Sequence, residues 1–354
     1  MSSSALARLG ITHPIIQAPM AGVSTPELAA AVSNAGALGS IAVGAVNADT
    51  ARQLIQRTRA LTDQAFNVNL FCHQQPQPSA QVEQAWIERL TPHFERFEAN
   101  PPAQLNEIYL SFLDDPNMLA VLLEEQPAVV SFHFGLPEAA WIKQLQHRGI
   151  LTLACVTSLS EAQLAIAAGV DALVAQGVEA GGHRGLFDPH QDSGLTTTDL
   201  VTQLASFVER PIIAAGGIMT GADIAAALHA GAAAVQMGTA FVLCPESSAN
   251  AGYRANLSRG VAVNTEITSA ISGRPARGII NRAHTEIDPD NRADIPDYPL
   301  TYDAMKQLAT AAAAQGDEGY AAHWAGTGAA LARSMPAAQL VETLVSELQA
   351  SFNS

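Results

Sequence analysis

Basic residues are scarce in this chain of 354 residues. It has only 18 lysines and arginines against 33 aspartates and glutamates, which gives a formal net charge of −15. Because nucleic acids are bound by basic surfaces that neutralise their phosphates, this composition argues against a nucleic-acid partner. Only two of the 18 basic residues are lysines, Lys143 and Lys306.

Cysteines are few, and long apolar runs are missing. Cys72, Cys155 and Cys244 each lie in an apolar segment, and an odd number of this kind is typical of reduced thiols in a core. No uninterrupted apolar stretch approaches the ~20 residues that a membrane-spanning helix needs. The first residues, MSSSALARLGITHP, also lack the pattern of a signal peptide. We therefore expect a cytoplasmic protein with no membrane segment.

Eight short apolar segments, most of them followed by an amphipathic helical pattern, run through the first two thirds of the chain. Strands alternating with helices are typical of a parallel sheet, and eight such units favour an α/β fold of the (β/α)₈ TIM-barrel type. The predicted strands are 14–20, 38–44, 66–72, 128–135, 151–157, 171–177, 211–217 and 233–241.

Two stretches depart from this alternation. Residues 73–127 are polar and include a helical pattern, so we interpret them as a helical insertion after the third strand. Beyond residue 244 the pattern becomes mostly helical, with a Gly/Pro-rich link. The predicted organisation is a barrel over 1–244 and a helical extension over 245–354 that covers the barrel mouth.

Polar and flexible residues occupy the carboxyl ends of the predicted strands, where the sites of TIM barrels lie. Glycines follow the last two strands, in AAGGI (214–218) and QMGTA (236–240). Backbone N–H groups of such glycines bind phosphate in many barrels. The pair predicts a phosphorylated ligand.

The residues that several kinds of enzyme chemistry require are missing from the predicted strands and their ends. Neither lysine lies on a predicted strand, as a Schiff-base enzyme would need, and no strand ends carry a His/Asp/Glu cluster for a metal. No G-x-G-x-x-G motif follows a strand. What remains is a phosphate-bearing organic cofactor, of which flavin mononucleotide (FMN) is the simplest candidate.

The loop QGVEAGGHRG (176–185) holds the one Gly-Gly-His of the chain. Two adjacent glycines let the backbone bend and let a ligand approach closely. His183 is then a candidate for proton chemistry or anion recognition. A flexible turn with a surface histidine is the alternative.

Segments from most of the chain resemble the FMN-dependent nitronate monooxygenases, formerly called 2-nitropropane dioxygenases. The similar segments are QAPMAGVSTPELAAAVSNAGALGS (17–40), NVNLFC (67–72), QGVEAGGHRG (176–185), AAGGI (214–218), QMGTAF (236–241) and DYPLTYDAMK (297–306). The last of these and HWAGTGAALAR (323–333) are similar to class I, of the bacterial Pseudomonas type. The related FMN-dependent enoyl-acyl-carrier-protein reductases share EAGGH.

The resemblance implies a role for each matching residue. His183 would be the active-site histidine, either as a base or as a positive charge. Tyr302 and Lys306, four residues apart on a predicted helix, would share one face and clamp an anion. The implied substrate-binding residues are His133, Tyr109, Tyr253, Tyr298, Tyr302 and Lys306. The implied FMN contacts are Met20, Ala21, Gly22, Asn69, Gln176, Gly181, Gly182, Gly217, Gln236, Met237, Gly238 and Thr239.

The implied reaction is the oxidation of propionate 3-nitronate by dioxygen through a flavin semiquinone. Its products would be malonic semialdehyde, nitrite and nitrate. A reductase that uses NAD(P)H on an enoyl thioester or a quinone is one alternative, and a barrel that only binds or senses flavin is another. The oligomeric state stays open.

Overall fold

Eight parallel strands form a barrel in the computed structural model, which describes residues 10–353. Around the sheet the strands follow the order β1-β9-β8-β6-β5-β4-β3-β2, and a parallel bridge between Ile16 and Leu38 joins β1 to the residue before β2. The predicted TIM-barrel class is therefore confirmed. The strands are β1 Ile15–Gln17, β2 Gly39–Ala42, β3 Phe66–Phe71, β4 Val129–His133, β5 Leu151–Val156, β6 Ala172–Gln176, β7 Gly182–His183, β8 Ile212–Ala215, β9 Ala234–Met237, β10 Thr265–Thr268 and β11 Ala276–Ile279.

Helices surround this barrel and make up much of the C-terminal part. They are α1 Pro26–Asn34, α2 Ala48–Leu61, α3 Ala80–Glu95, α4 Pro116–Glu125, α5 Ala139–His147, α6 Leu159–Ala168, α7 Thr197–Phe207, α8 Gly221–His229, α9 Thr239–Val242, α10 Ala251–Leu257, α11 Leu300–Ala314 and α12 Ala337–Asn353. Residues 239–241, predicted as the end of the last barrel strand, instead open the four-residue helix α9. The prediction was wrong there because the apolar run continues past Gly238, where the backbone turns from strand to helix.

Side-chain caps begin several of the barrel helices. The Thr25 hydroxyl accepts a hydrogen bond from the backbone N–H of Leu28 (3.0 Å), with Pro26 at the first helical position. Thr220 and Asp223 form a reciprocal capping box at the start of α8. These residues satisfy N–H groups that the first helical turn would otherwise leave without partners.

Close packing between helix and strand depends on a glycine at the start of β2. A Cβ added at Gly39 would lie 1.9 Å from the carbonyl oxygen of Ala29 in α1. No side chain fits at that distance. Gly39 therefore lets α1 lie directly on β2.

The C-terminal extension packs against the residues after β3. Helix α3 contacts α11 through a separate apolar cluster that includes Trp86 and Leu308. Helix α4, which lies within the stretch predicted as an insertion, packs on α2 in the helical ring. The last helix, α12, also returns to the ring, between α8 and α1. The boundary at 244/245 stays a prediction.

The extension also contains a β-hairpin that the sequence pattern did not predict. Strands β10 and β11 pair antiparallel, and β11 pairs with β7, which brings Ala276 opposite His183. The histidine loop is thus one strand of a small three-stranded sheet.

Two composition-based expectations can be compared with residues 10–353. All three cysteines are free and buried. Within that range, no helix is both long and apolar enough to cross a membrane.

Candidate active site

A cavity of about 550 Å³ opens at the carboxyl ends of the barrel strands. This volume lies within the usual range for small-molecule and cofactor sites. Every residue that the sequence analysis assigned to a site lines it. They are Met20, Ala21, Gly22, Asn69, Tyr109, His133, Gln176, Gly181, Gly182, His183, Gly217, Gln236, Met237, Gly238, Thr239, Tyr253, Tyr298, Tyr302 and Lys306.

Buried hydrogen bonds hold the histidine loop in place. The Arg184 side chain is fully buried, pairs with Asp192 (2.8 Å) and donates to the carbonyl oxygens of Gln176 and Gly177. The Gln176 amide donates to the backbone oxygen of His183 (3.0 Å) and accepts from Gly185 N–H (2.8 Å). Because the bonds to Gln176 and Gly177 have one end at the tip of β6, they fix the loop to the barrel.

The His183 ring is held by polar contact on one edge and by aromatic rings around it. Its Nε2 lies 2.9 Å from the hydroxyl of Ser272, which is itself fully buried. The centroids of the Tyr298 and Trp324 rings are 5.7 and 5.2 Å from that of His183. Nδ1 has no hydrogen-bond partner among residues 10–353. The loop histidine therefore lies half-buried in the cavity wall and not on an open surface turn.

The surroundings of His183 keep its imidazole neutral at pH 7. Burial, together with the nearby His133 and Arg274, lowers the pKa of His183 to about 3. Burial likewise lowers the pKa of His133 to about 4. The His133 Nε2 lies 3.2 Å from the backbone oxygen of His183, so the ring of one histidine is in hydrogen-bond contact with the backbone of the other.

Glycines leave room at one end of the cavity, where the loop after β6 meets the C-terminal tail and the turn after β9. A Cβ at Gly181 would lie 2.5 Å from the backbone nitrogen of Gly326, so the tail residues 325–328 can approach closely. Gly326 N–H donates to the Thr239 hydroxyl (3.0 Å), which joins this tail to the turn after β9. The resulting pocket of backbone is of the kind that accepts a phosphate.

Three tyrosines form an aromatic part of the cavity wall. The rings of Tyr109, Tyr298 and Tyr302 lie with their centroids 6.0 to 6.4 Å apart. Lys306 Nζ lies 2.8 Å from the Tyr109 hydroxyl and 5.2 and 5.8 Å from the centroids of Tyr109 and Tyr302. Tyr302 and Lys306 both belong to α11, as their spacing predicts. A phenol and an ammonium thus stand together at the exposed rim.

The sequence analysis missed three features of the site. Trp324 lines the cavity beside His183, Ser272 contacts the histidine from the extension, and the tail glycines Gly326 and Gly328 line the cavity. The segment HWAGTG contains the tryptophan and both glycines. The sequence analysis used it only as a similarity to class I and assigned no site residue within it. Nothing in the local sequence around Ser272 indicates its contact, which spans 89 positions of the chain.

Fold and site together define a (β/α)₈ barrel enzyme with a cofactor-sized cavity at the strand ends. Residues 3–347 match the family described as nitronate monooxygenase. The chain is 59% identical to the nitronate monooxygenase of Paraburkholderia phytofirmans over 97% of this chain and 94% of the relative. It is 56% identical to that of Pseudomonas aeruginosa, over 96% and 97%.

Two solved structures are similar to this chain over nearly its whole length. A nitroalkane oxidase from Streptomyces ansochromogenes has a TM-score of 0.88 and 41% identity, with 99% of both chains covered. FabK from Thermotoga maritima has a TM-score of 0.75 and 29% identity, covering 100% of this chain and 98% of the other. The chain belongs to the nitronate monooxygenase family, and its activity is that of a flavin-dependent oxidoreductase.

Proposed function

We propose that the flavin is FMN and that the substrate is a small nitronate with a carboxylate, of which propionate 3-nitronate is the simplest. The products would be malonic semialdehyde, nitrite and nitrate, with dioxygen as the oxidant. The observation that carries this choice is Lys306 beside Tyr109 and Tyr302 at the rim of an apolar cavity. A carboxylate is the group that an ammonium and two phenols would bind.

The glycine-lined end of the cavity fits the phosphate of FMN. Gly217 and Gly238 follow the neighbouring strands β8 and β9. A hydrogen bond from Gly326 N–H to the Thr239 hydroxyl attaches the tail to the turn after β9. Asn69 uses its Nδ2 on Ser131, so its Oδ1 remains available to the cofactor. The Gln176 amide is largely engaged by the loop, and we assign it to supporting His183 as well as to contacting the flavin. When bound, FMN supplies the redox centre that accepts electrons from the nitronate carbon.

The protein contributes orientation and proton control. Lys306 and the tyrosines would fix the carboxylate, and the apolar walls would exclude water from the nitronate end. The neutral His183, held at Nε2 by Ser272, offers Nδ1 as a hydrogen-bond acceptor or as a base. Its low pKa disfavours a permanent positive charge and favours the role of hydrogen-bond acceptor, because an imidazole with a pKa of about 3 is a weak base at neutral pH.

The test is a visible absorption spectrum of the purified protein, followed by an oxygen-electrode assay with propionate 3-nitronate. We expect a flavin spectrum, FMN in the heat-released cofactor, oxygen uptake and formation of malonic semialdehyde with nitrite and nitrate. A colourless protein that stays inactive after incubation with FMN would contradict the proposal. Oxygen uptake with alkyl nitronates alone would overturn the choice of substrate.

A reductase that uses NAD(P)H is the competing function, and the EAGGH loop motivates it. Anaerobic mixing with NADH or NADPH discriminates the two. Rapid bleaching of the flavin would support the reductase, whereas we expect slow or absent bleaching.

A further inference from the structure

A buried arginine without an acidic partner lies behind the residues that form the cavity wall. Arg274 is only 4% exposed, in the turn between β10 and β11. Its guanidinium lies over the Phe134 ring, with Cζ 4.4 Å from the centroid. In the part of the chain that the structure describes, no carboxylate comes within ion-pair distance of it, whereas the equally buried Arg184 pairs with Asp192.

The hydrogen bonds of Arg274 do not neutralise its charge. Nη2 donates to the carbonyl oxygen of Leu186, and the buried Nε has no partner among the described residues. Among acidic groups, Glu161 and Asp188 act on Arg274 only as charges through space, without a hydrogen bond to it. The Glu161 carboxylate accepts hydrogen bonds from Thr157 and Phe187, so it is engaged elsewhere.

The position of this charge connects it to the site. Phe134, which it covers, lies with its ring centroid 5.5 Å from His183 and 5.4 Å from Tyr298, and both of these line the cavity. The Ser272 hydroxyl, which contacts His183, also lies 3.1 Å from the backbone oxygen of Arg274. Phe134 does not itself line the cavity, so Phe134 and the two residues packed on it lie between the guanidinium and the space where a ligand would sit.

Burying an unpaired charge costs stability, and packed apolar residues of similar volume commonly replace such charges without loss. Sites that keep a destabilising arrangement are often functional. Burial lowers the pKa of Arg274 to about 10, so the group remains positive at pH 7. An anion in the cavity would compensate it.

We propose that Arg274 is the fixed positive charge of this site and that its missing acidic partner is an anion bound in the cavity. The histidines beside it are neutral at pH 7 and Lys306 lies at the rim, so Arg274 supplies the deep positive potential. The identity of the anion as a nitronate rests on the proposed function. The need for a charge at position 274 does not, because any small planar anion tests it.

The experiment measures nitrite binding to the FMN-loaded protein through the visible difference spectrum of the flavin. We expect Arg274→Met to weaken nitrite binding roughly tenfold, the scale of one interaction between partly buried charges. Arg274→Lys keeps the charge and should retain most of the affinity. The melting temperature of Arg274→Met should equal or exceed that of the wild type, because the buried charge is gone.

Arg57→Met is the matched control, since it removes one exposed arginine that pairs with Glu27. It should leave nitrite binding unchanged. A lower melting temperature for Arg274→Met with unchanged nitrite affinity would show a purely structural role and overturn the proposal. Absence of saturable nitrite binding by the wild type would overturn it as well.

If Arg274→Met does not fold or does not hold FMN, Arg274→Lys is compared with Arg274→Gln. Both lose the stacked guanidinium and differ in charge, so equal nitrite affinities would overturn the proposal and tighter binding by Lys would support it. Charge-dependent nitrite binding in a protein that consumes no oxygen with nitronates would leave this proposal standing while the proposed function falls.

Discussion

At the scale of single residues, the two lysines of the chain provide a matched pair. Lys306 lies at the cavity rim on the Tyr109 hydroxyl, and Lys143 is exposed on α5, away from the cavity. Replacing each by methionine removes the same charge from an exposed position. Any difference between the variants therefore reports the position of the charge and not the net charge of the protein.

We expect Lys306→Met to lower kcat/KM for propionate 3-nitronate by an amount that corresponds to about 1–2 kcal/mol of activation free energy. This value lies between the energy of an exposed ion pair and that of a hydrogen bond to a charged group. An alkyl nitronate has no carboxylate to lose, so its kcat/KM should change little and the preference between substrates should collapse. Lys143→Met should affect neither substrate. Equal losses with both substrates would mean that Lys306 supports the flavin or the fold.

His183 gives a second prediction at this scale, based on its pKa of about 3. Because kcat/KM reports the ionisations of the free enzyme, the profile with a preformed nitronate should show no inflection from His183 between pH 6 and 8. The measurement is kcat/KM across that range for the wild type and for His183→Asn. An inflection near neutral pH that disappears in His183→Asn would mean that this histidine carries a positive charge in the working enzyme.

At the scale of elements, the glycines after the strands separate cofactor binding from folding. A Cβ at Gly238 would lie 3.4 Å from Ala18 Cβ and 3.6 Å from Met20 Sδ, which are ordinary contacts, and its φ of −106° suits any residue. A Cβ at Gly181 would lie 2.5 Å from the backbone of Gly326. The first position tolerates a methyl group and the second does not.

We therefore expect Gly238→Ala to change the unfolding free energy of the FMN-free protein by less than about 1 kcal/mol while weakening FMN binding roughly tenfold, because the methyl group enters the cavity. Gly181→Ala should reduce both, since the tail must move. FMN titration by fluorescence and denaturant unfolding measure the two effects. Unchanged FMN affinity in Gly238→Ala would remove this glycine from the proposed phosphate site.

Sequence reasoning succeeded where the signal is local. The barrel strands are continuous apolar runs bounded by glycine and polar turns, so each run indicates its own strand. The hairpin β10–β11 was missed because TEIT and ARGI carry charged residues and little apolar character. Its pairing with His183 joins segments distant in the chain. Ser272 and Arg274 reach the site through that hairpin, so no local pattern could have revealed them.

At the scale of the whole molecule, several buried histidines couple folding to pH. Burial is the largest cause in lowering the pKa values of His73, His133 and His323 to about 4 and of His183 to about 3. An unfolded histidine titrates near 6.5. Between these values the unfolded chain binds more protons than the folded protein, so stability is present above pH 6.5 and is lost as the pH falls through the window from 6.5 to about 4.

Each such histidine contributes a slope of up to about 1.4 kcal/mol per pH unit, and the four together approach the total stability of an ordinary domain across this window. We expect the melting temperature of the FMN-free protein to fall steeply below pH 6 in calorimetric scans.

His73 is the histidine to replace, since it is 1% exposed, lies edge-on to Tyr298 at 4.9 Å between ring centroids and does not line the cavity. Between pH 6 and 5, His73→Leu should lose less unfolding free energy than the wild type, by about the amount that the uptake of one proton contributes. The exposed His147, changed to leucine, is the control and should leave the slope unchanged. If His73→Leu and the wild type lose stability in parallel, the acid sensitivity must come from other groups.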